Sequence, residues 1–268
     1  MKKEKWYRPL ISAYRNLRSR DLTRQIKEVL PKIKGDLPVL VICYNNGVYV
    51  ENIVKQFNKF KIFPIIINNK SSDQETLSTL SKLEQTKLAY VVHSTKNFGH
   101  FVGLMDSIYK ELPRNFAYTD PDLKLNPLLP ENFIEQLISI TEKYCVFKAG
   151  FALDLLEKEE IIDVSQVISQ TKPFSFCKEF NVREYEKRFW RLKLTEDSQE
   201  IYFAPIDSTF AVYNKDNYIG DMYDAVRVAG NFSAIHLPWF PKLDIMNAVQ
   251  KEAYLVSDRK KDTTWIKK

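Results

Sequence analysis

The sequence predicts an α/β protein, a Rossmann-like, mostly parallel sheet with helices on both faces and a small mixed C-terminal region. Three observations carry this expectation. Short β-branched apolar runs alternate with apolar residues at helical spacing from residue 38 to about 150, and parallel neighbours need a crossover helix between them. Beyond about residue 150 that alternation is lost, so the second half belongs to a different, mixed arrangement. The chain of 268 residues is 44% hydrophobic and 28% charged, long enough for a sizeable core and unlike disordered, collagenous or fibrous chains.

In chain order, residues 1–35 read as a basic extension, 36–255 as the α/β unit with a division near 150, and 256–268 as a basic tail. Pro38–Tyr44 (PVLVICY) is a β-branched run suited to a strand buried on both faces. Val50, Ile53, Val54 and Phe57 then recur at i, i+3, i+4 and i+7, the stripe of an amphipathic helix. Phe63–Ile67 reads as a second strand, Leu77, Leu80 and Leu83 as a helix face, Leu88–Val92 as a third strand. Leu104, Ile108 and Leu112 give another helix face, Phe116–Thr119 a fourth strand, Phe133–Tyr144 a helix and Cys145–Phe147 a further strand. Later, Ile201–Ala204 and Thr209–Tyr213 read as strands paired as a hairpin around Pro205-Ile206-Asp207-Ser208, which would expose Asp207 at its tip. Val226–Val228 reads as a strand and Asn247–Tyr254 as a short helix, while Phe180–Trp190 has helical character without clean faces.

Charge is unevenly placed. The first 34 residues hold 11 basic and 3 acidic side chains, whereas the whole chain carries only +6, so the remainder is net negative. Trp6 and Tyr7 sit among the N-terminal cations, and Arg259, Lys260, Lys261, Trp265, Lys267 and Lys268 repeat the theme at the other end. Basic, aromatic termini fit peripheral contact with an anionic membrane; the plainer reading is a solvated helix. No recognition motif follows the positive charge inward, so nucleic acid is not an expected partner. Cys43, Cys145 and Cys177 are too few and too scattered for a disulfide framework or a closed zinc site, which suggests a reducing compartment. No stretch approaches the about 18–20 apolar residues of a membrane span, and the N-terminus lacks the apolar centre of a signal peptide. The expected location is cytoplasmic, peripheral at the inner face of the cytoplasmic membrane.

Ligands of open parallel sheets bind beyond the carboxyl ends of the strands, and here those ends are polar. They carry Tyr44-Asn45-Asn46, Asn68-Asn69-Lys70-Ser71-Ser72-Asp73, His93-Ser94-Thr95-Lys96-Asn97 and Thr119-Asp120-Pro121-Asp122. Polar loops after strands are common, so it is their joint presence that points to a site. In Asp120-Pro121-Asp122, two carboxylates flank a proline, a pattern that can hold a hard divalent cation directly or through water; it also starts ordinary turns.

The ordered series Val41–Asn46, Asn68–Asp73, Lys96-Asn97-Phe98-Gly99 and Asp120-Pro121-Asp122 resembles that of family 2 glycosyltransferases with the GT-A fold. The resemblance covers roughly residues 38–125, and more loosely Phe203–Tyr213 and Ser233–Phe240. It implies that Tyr44, Asn45, Asn68, Asn69 and Asp73 hold the nucleoside of a sugar nucleotide, with Asn68 standing where the family usually has an acid. Lys96, Asn97, Gly99 and His100 would approach the donor, and Asp120 and Asp122 would hold Mn2+ or Mg2+ with the diphosphate. His236 would complete the metal site, as a C-terminal histidine does in relatives; a core histidine is the plainer reading.

Inverting transfer needs a carboxylate to deprotonate the acceptor hydroxyl opposite the leaving diphosphate. Asp207 is the candidate, with Glu196 and Asp197 behind it, and Arg227 and Lys96 are candidate phosphate partners. The implied activity is metal-dependent transfer of a sugar from a nucleotide sugar, UDP-linked in the first reading, to a hydroxyl of a bacterial surface glycan or lipid-linked acceptor. Two alternatives stand beside it. One is a sugar nucleotidyltransferase, for which Tyr44-Asn45-Asn46-Gly47 lacks the expected Gly-rich loop. The other is a non-catalytic protein that binds sugar nucleotides or a lipid surface.

Overall fold

The computed structural model describes residues 19–33, 37–169, 176–194 and 200–257. Its centre is an eight-stranded mixed sheet in the order β3-β2-β1-β4-β10-β6-β11-β9. The first four strands are β1 (Val39–Cys43), β2 (Ile65–Asn68), β3 (Tyr90–His93) and β4 (Asn115–Thr119), all parallel to one another. Their connections contain α2 (Gly47–Lys59), α3 (Gln74–Gln85) and the short α4 (Asp106–Tyr109). The other half comprises β6 (Lys148–Phe151), β9 (Ile201–Phe203), β10 (Ala211–Asn214) and β11 (Ala225–Val228). There β6 and β11 are parallel, β10 runs antiparallel between β4 and β6, and β9 pairs antiparallel with β11 at the edge.

The apolar runs form strands because both sheet faces are covered. Alternate side chains of β1 point to opposite cores. Val39, Val41 and Cys43 meet α2, α3 and α5 (Phe133–Tyr144) through Val50, Ile53, Phe57, Leu80, Leu83 and Leu137. Leu40 and Ile42 meet Leu22 and Ile26 of α1 (Arg20–Val29) and Ile108 of α4. Helix α1 therefore lies in the core although it falls within the stretch expected as a basic extension, while residues 1–18 and 258–268, with the aromatic and basic ends, lie outside the described residues.

Two smaller sheets complete the fold. One pairs β5 (Leu123–Leu125) with β12 (Ala234–His236), and the other pairs β7 (Asp163–Ser169) with β8 (Phe176–Asn181). Helix α6 (Val182–Lys187) follows β8, and α7 (Ala248–Ser257) ends the described chain. Among the described residues, no helix is long and apolar enough to cross a membrane.

The expected hairpin of β9 and β10 is not formed. Both strands exist, but β11 and β6 lie between them in the sheet, so residues 204–210 are a crossover rather than a tight turn. Two further differences are local. The strand expected at Cys145–Phe147 begins at Lys148, because Cys145 takes φ +50° to end α5. The helix face expected through Leu104, Ile108 and Leu112 shrinks to a single 3-10 turn at Val102–Leu104 followed by α4.

Candidate active site

Because β1 to β4 are parallel neighbours, the loops that follow them leave one edge of the sheet, and the 204–210 crossover enters β10 at that same edge. The loops after β1 and β2 are stitched side chain to backbone. Asn45, at φ +51°, accepts through Oδ1 from the Ser72 and Asp73 amides at 2.7 and 3.1 Å. Asp73 accepts from the Thr76 amide at 2.8 Å and so caps α3, satisfying a donor the helix leaves open. The Gly47 amide donates to Thr76 Oγ1 at 2.9 Å, and a Cβ on Gly47 would stand 2.7 Å from Thr76 Cα. Tyr44 reaches away from this group and donates to the Ser257 carbonyl at 2.9 Å.

The next pair of loops is joined by buried amides. Asn69 donates to Asn97 Oδ1 at 2.8 Å and to the Gly99 carbonyl at 3.0 Å, and accepts from the Phe98 amide at 3.0 Å. Asn68 accepts from the Ser71 amide at 2.8 Å and bonds His93 Nδ1 at 3.1 Å. Most of the polar reach of Asn45, Asn68 and Asn69 is thus spent on shaping the loops. Gly99 takes φ +87°, which favours glycine. Lys96 is half-buried, whereas Asn97 and the ring of His100 are exposed, and the His100 carbonyl accepts from Tyr118 at 2.5 Å.

The Asp-Pro-Asp turn bridges the two halves. Gln56 of α2 holds β5 by donating to the Leu123 carbonyl at 3.1 Å and accepting from the Leu125 amide at 2.7 Å. Asp122, just ahead of β5, is 7% exposed. Pairing of β5 with β12 sets His236 opposite Leu123 and brings His236 Nε2 to 3.3 Å from Asp122 Oδ2. Asp122 Oδ1 and His236 Nδ1 are both buried without a hydrogen-bond partner. Asp120 turns the other way. Its amide donates to the Ser208 carbonyl at 2.8 Å, and its carboxylate accepts from the Ser208 hydroxyl. Burial, then the charges of Asp122 and Asp207, hold the Asp120 carboxyl well above the usual carboxylate range, against the Ser208 hydrogen bond.

Asp207 is exposed on the crossover, close enough to Asp120 for their charges to interact. Arg227 does not face this edge as a phosphate partner. It is 5% exposed, pairs with buried Glu186, and donates from Nε to the Pro205 carbonyl at 2.9 Å. Glu196 and Asp197 lie outside the described residues. Sequence reasoning passed over Ser208, Glu186 and Lys148. The signal for Lys148 was a lone cation inside an apolar run, Val146-Phe147-Lys148-Ala149-Gly150-Phe151.

The turn is suited to a divalent cation by its donors. The charges of Asp122 and Asp207 both act on buried Asp120, and Asp122 Oδ1 and His236 Nδ1 are buried without hydrogen-bond partners. Such groups are costly until something positive meets them. Oxygen-rich donors with one imidazole fit Mn2+ or Mg2+. As the side chains stand, no group of three or more His, Cys, Asp or Glu among the described residues is gathered closely enough to hold a metal.

No family model matches the chain, and no curated protein matches it in sequence. The solved structures that resemble it include a mannosyltransferase and a fragment of S. aureus TarS. The mannosyltransferase PcManGT from Pyrobaculum calidifontis, in complex with GDP-Man and Mn2+, gives a TM-score of 0.47 at 12% identity, over 85% of this chain and 68% of that one. A fragment of S. aureus TarS, residues 1–349, gives 0.38 at 12% identity over 68% of this chain, which spans about half (47%) of the fragment. At these scores neither likeness bears on function.

Proposed function

We propose that the chain is an inverting, metal-dependent glycosyltransferase that moves a sugar from a nucleotide sugar, UDP-linked in our reading, to a hydroxyl of a bacterial surface glycan. The observation that carries this reading is the Asp120-Pro121-Asp122 turn at the carboxyl edge of the parallel strands, where Asp122 lies 3.3 Å from His236 and the charges of Asp122 and Asp207 act on Asp120, next to the loops after β1, β2 and β3. The motif series of the sequence supports the same reading.

In this proposal Asp120, Asp122 and His236 hold a divalent cation, which supplies counter-charge for the departing diphosphate. The loops of Tyr44, Asn45, Asn68, Asn69, Asp73, Lys96, Asn97, Gly99 and His100 seat the donor. Asp207, exposed and backed by Ser208, takes the proton of the acceptor hydroxyl as its oxygen bonds to the anomeric carbon. The bond from that carbon to the diphosphate oxygen breaks, and the nucleoside diphosphate leaves with the electron pair. The basic ends outside the described residues would meet anionic lipid in the same reading.

The test begins with thermal shifts for UDP-glucose, UDP-galactose, UDP-N-acetylglucosamine and GDP-mannose, each with and without Mn2+. One donor is expected to raise the melting temperature only with the metal. Asp207→Asn should then keep donor binding and lose turnover by at least about 100-fold. Turnover that survives chelation would remove the cation role from Asp120 and Asp122. A flat panel would favour a protein that binds without catalysis.

A further inference from the structure

We infer that Lys148 and Arg227 are positioning residues, two buried cations on adjacent strands that grip successive carbonyls of the crossover and thereby fix Asp207 beside Asp120. The inference deepens the proposed reaction and rests on the reading of Asp207 as its base.

The crossover has to pass from β9, at the sheet edge, over β11 and β6 to reach β10. The backbone groups of β6 are committed to β10 on one side and β11 on the other. Carbonyls of a segment lying across those strands find no donor in the β6 ladder and have to be met by side chains, other backbone or water. Arg227 of β11 donates from Nε to the Pro205 carbonyl at 2.9 Å, and Lys148 of β6 donates from Nζ to the Ile206 carbonyl at 2.5 Å. On the far side of Asp207, the Ser208 carbonyl accepts from the Asp120 amide at 2.8 Å. The Ile206 side chain between the two grips is fully buried. The backbone on both sides of Asp207 is held, while its carboxyl stays exposed to meet an acceptor.

Packing alone does not ask for these cations. Lys148 is 1% exposed in a strand that is otherwise apolar, where a neutral side chain of similar length would bury without the desolvation cost. Its ammonium lies 5.3 Å from the centre of the Tyr213 ring and 5.9 Å from that of Tyr223, and the carboxylates of Asp207, Asp221 and Asp224 act on it electrostatically. The charge of Arg227 is balanced separately by Glu186, and its guanidinium stands 4.1 Å from the Phe189 ring centre. Each cation is thus held in place by its own partners and has a donor left for the crossover. A base displaced by an ångström loses much of its rate, which gives the two grips a catalytic consequence without contact with substrate.

The experiment compares wild type, Lys148→Met, Arg227→Lys, Asp207→Asn and the K148M/D207N double variant. Hydrogen–deuterium exchange of the free protein is read over residues 203–210, and kcat and KM with the Mn2+-dependent donor selected from the four named sugar nucleotides. In K148M, exchange over 203–210 should rise at least about tenfold while α2 and α3 keep their protection. Its kcat should fall at least about tenfold with donor KM within about twofold, and K148M should not slow D207N further. Arg227→Lys, which keeps a charge for Glu186, should show the same pattern at about three- to tenfold, and it decides the matter should K148M not fold. Wild-type exchange over 203–210, or faster exchange spread evenly over the whole sheet, would overturn the inference. If D207N keeps wild-type turnover, or no donor is turned over, the reading of Asp207 falls instead, while the exchange data still decide the grips.

Discussion

A lysine that lies inside a sheet, with its ammonium against a carbonyl and two aromatic rings, leaves a pH signature. Burial pushes the Lys148 ammonium down from 10.5 to about 8, opposed by Asp207, Asp221 and Asp224 and aided by Arg227. Below about 8 the group is protonated in both folded and unfolded chains, and the penalty for burying its charge, roughly 3 kcal/mol from the size of the shift, is present in full. Between about pH 8 and 10.5 the unfolded chain still holds the proton that the folded chain has released, so this group makes stability rise with pH across that window. Urea unfolding of wild type and K148M should therefore differ by about 2 kcal/mol more in favour of wild type at pH 10 than at pH 7.5. A pH-independent difference would show that the folded environment does not depress this amine. Lys148 also illustrates what a sequence hides at this scale. Asp120, Asp122 and His236 could be picked out as candidates because a tripeptide, or a histidine in a short apolar run, stands out locally. The partners of Asp207, by contrast, are carbonyl oxygens, which every residue has and no motif records.

Strands and helices were legible where their period lies within a few residues. The run Val39–Cys43, the stripe Val50–Phe57 and the helix Phe133–Tyr144 each carry their own evidence, and each forms with both faces of the sheet covered. Pairing between strands was not legible in the same way. Ile201–Phe203 and Ala211–Asn214 are recognisable as strands, but closeness in sequence suggested a hairpin, and two other strands come between them. The three-residue β5 and β12 are too short for alternation to show, yet their pairing is what brings His236 to Asp122. The close approach of β10 to β6 is carried by Gly150, where an added Cβ would stand 2.2 Å from the Phe210 carbonyl oxygen and 2.8 Å from Ala211 Cα. Both obstacles belong to backbone that is itself hydrogen-bonded, since the Phe210 carbonyl accepts from the Phe151 amide at 3.0 Å. Gly150→Ala must push β10 away from β6, and a loss of at least about 2 kcal/mol is expected in chemical denaturation. An unchanged midpoint would mean that the two strands can separate without cost.

Across the described residues, the candidate site depends on segments far apart in sequence being returned to the same sheet edge, and the last of these is α7. Gln250 of α7 donates to Glu75 at 2.6 Å, and the Ser257 carbonyl accepts from Tyr44 at 2.9 Å. Helix α7 thus closes one side of a cleft lined by Asn45, Gly47, Asp73, Thr76 and Met246. Its anchor is buried. Tyr49 of α2 is fully buried and donates to Asp244 Oδ1 at 2.5 Å, while Asp244 Oδ2 pairs with Lys251 of α7 at 2.5 Å. Burial, then the hydrogen bond to Asp244, pushes the Tyr49 phenol far above its ordinary range, so it stays a donor at any working pH. Tyr49→Phe keeps the ring and its packing beside Leu237 and Met246, and Lys251 still answers the Asp244 charge, so no buried ion is stranded. The global cost should therefore stay near 1–2 kcal/mol, roughly the value of a hydrogen bond to a charged group. Because the lost bond ties α7 to the rest of the molecule, the local effect should exceed the global one. Amide exchange in α7 is expected to quicken about tenfold, with α2 and β1 unchanged. If exchange in α7 and α2 rises together, Tyr49 supports the whole core and the helix is not separately latched; if neither changes, the Gln250 and Tyr44 contacts suffice to hold it over the cleft.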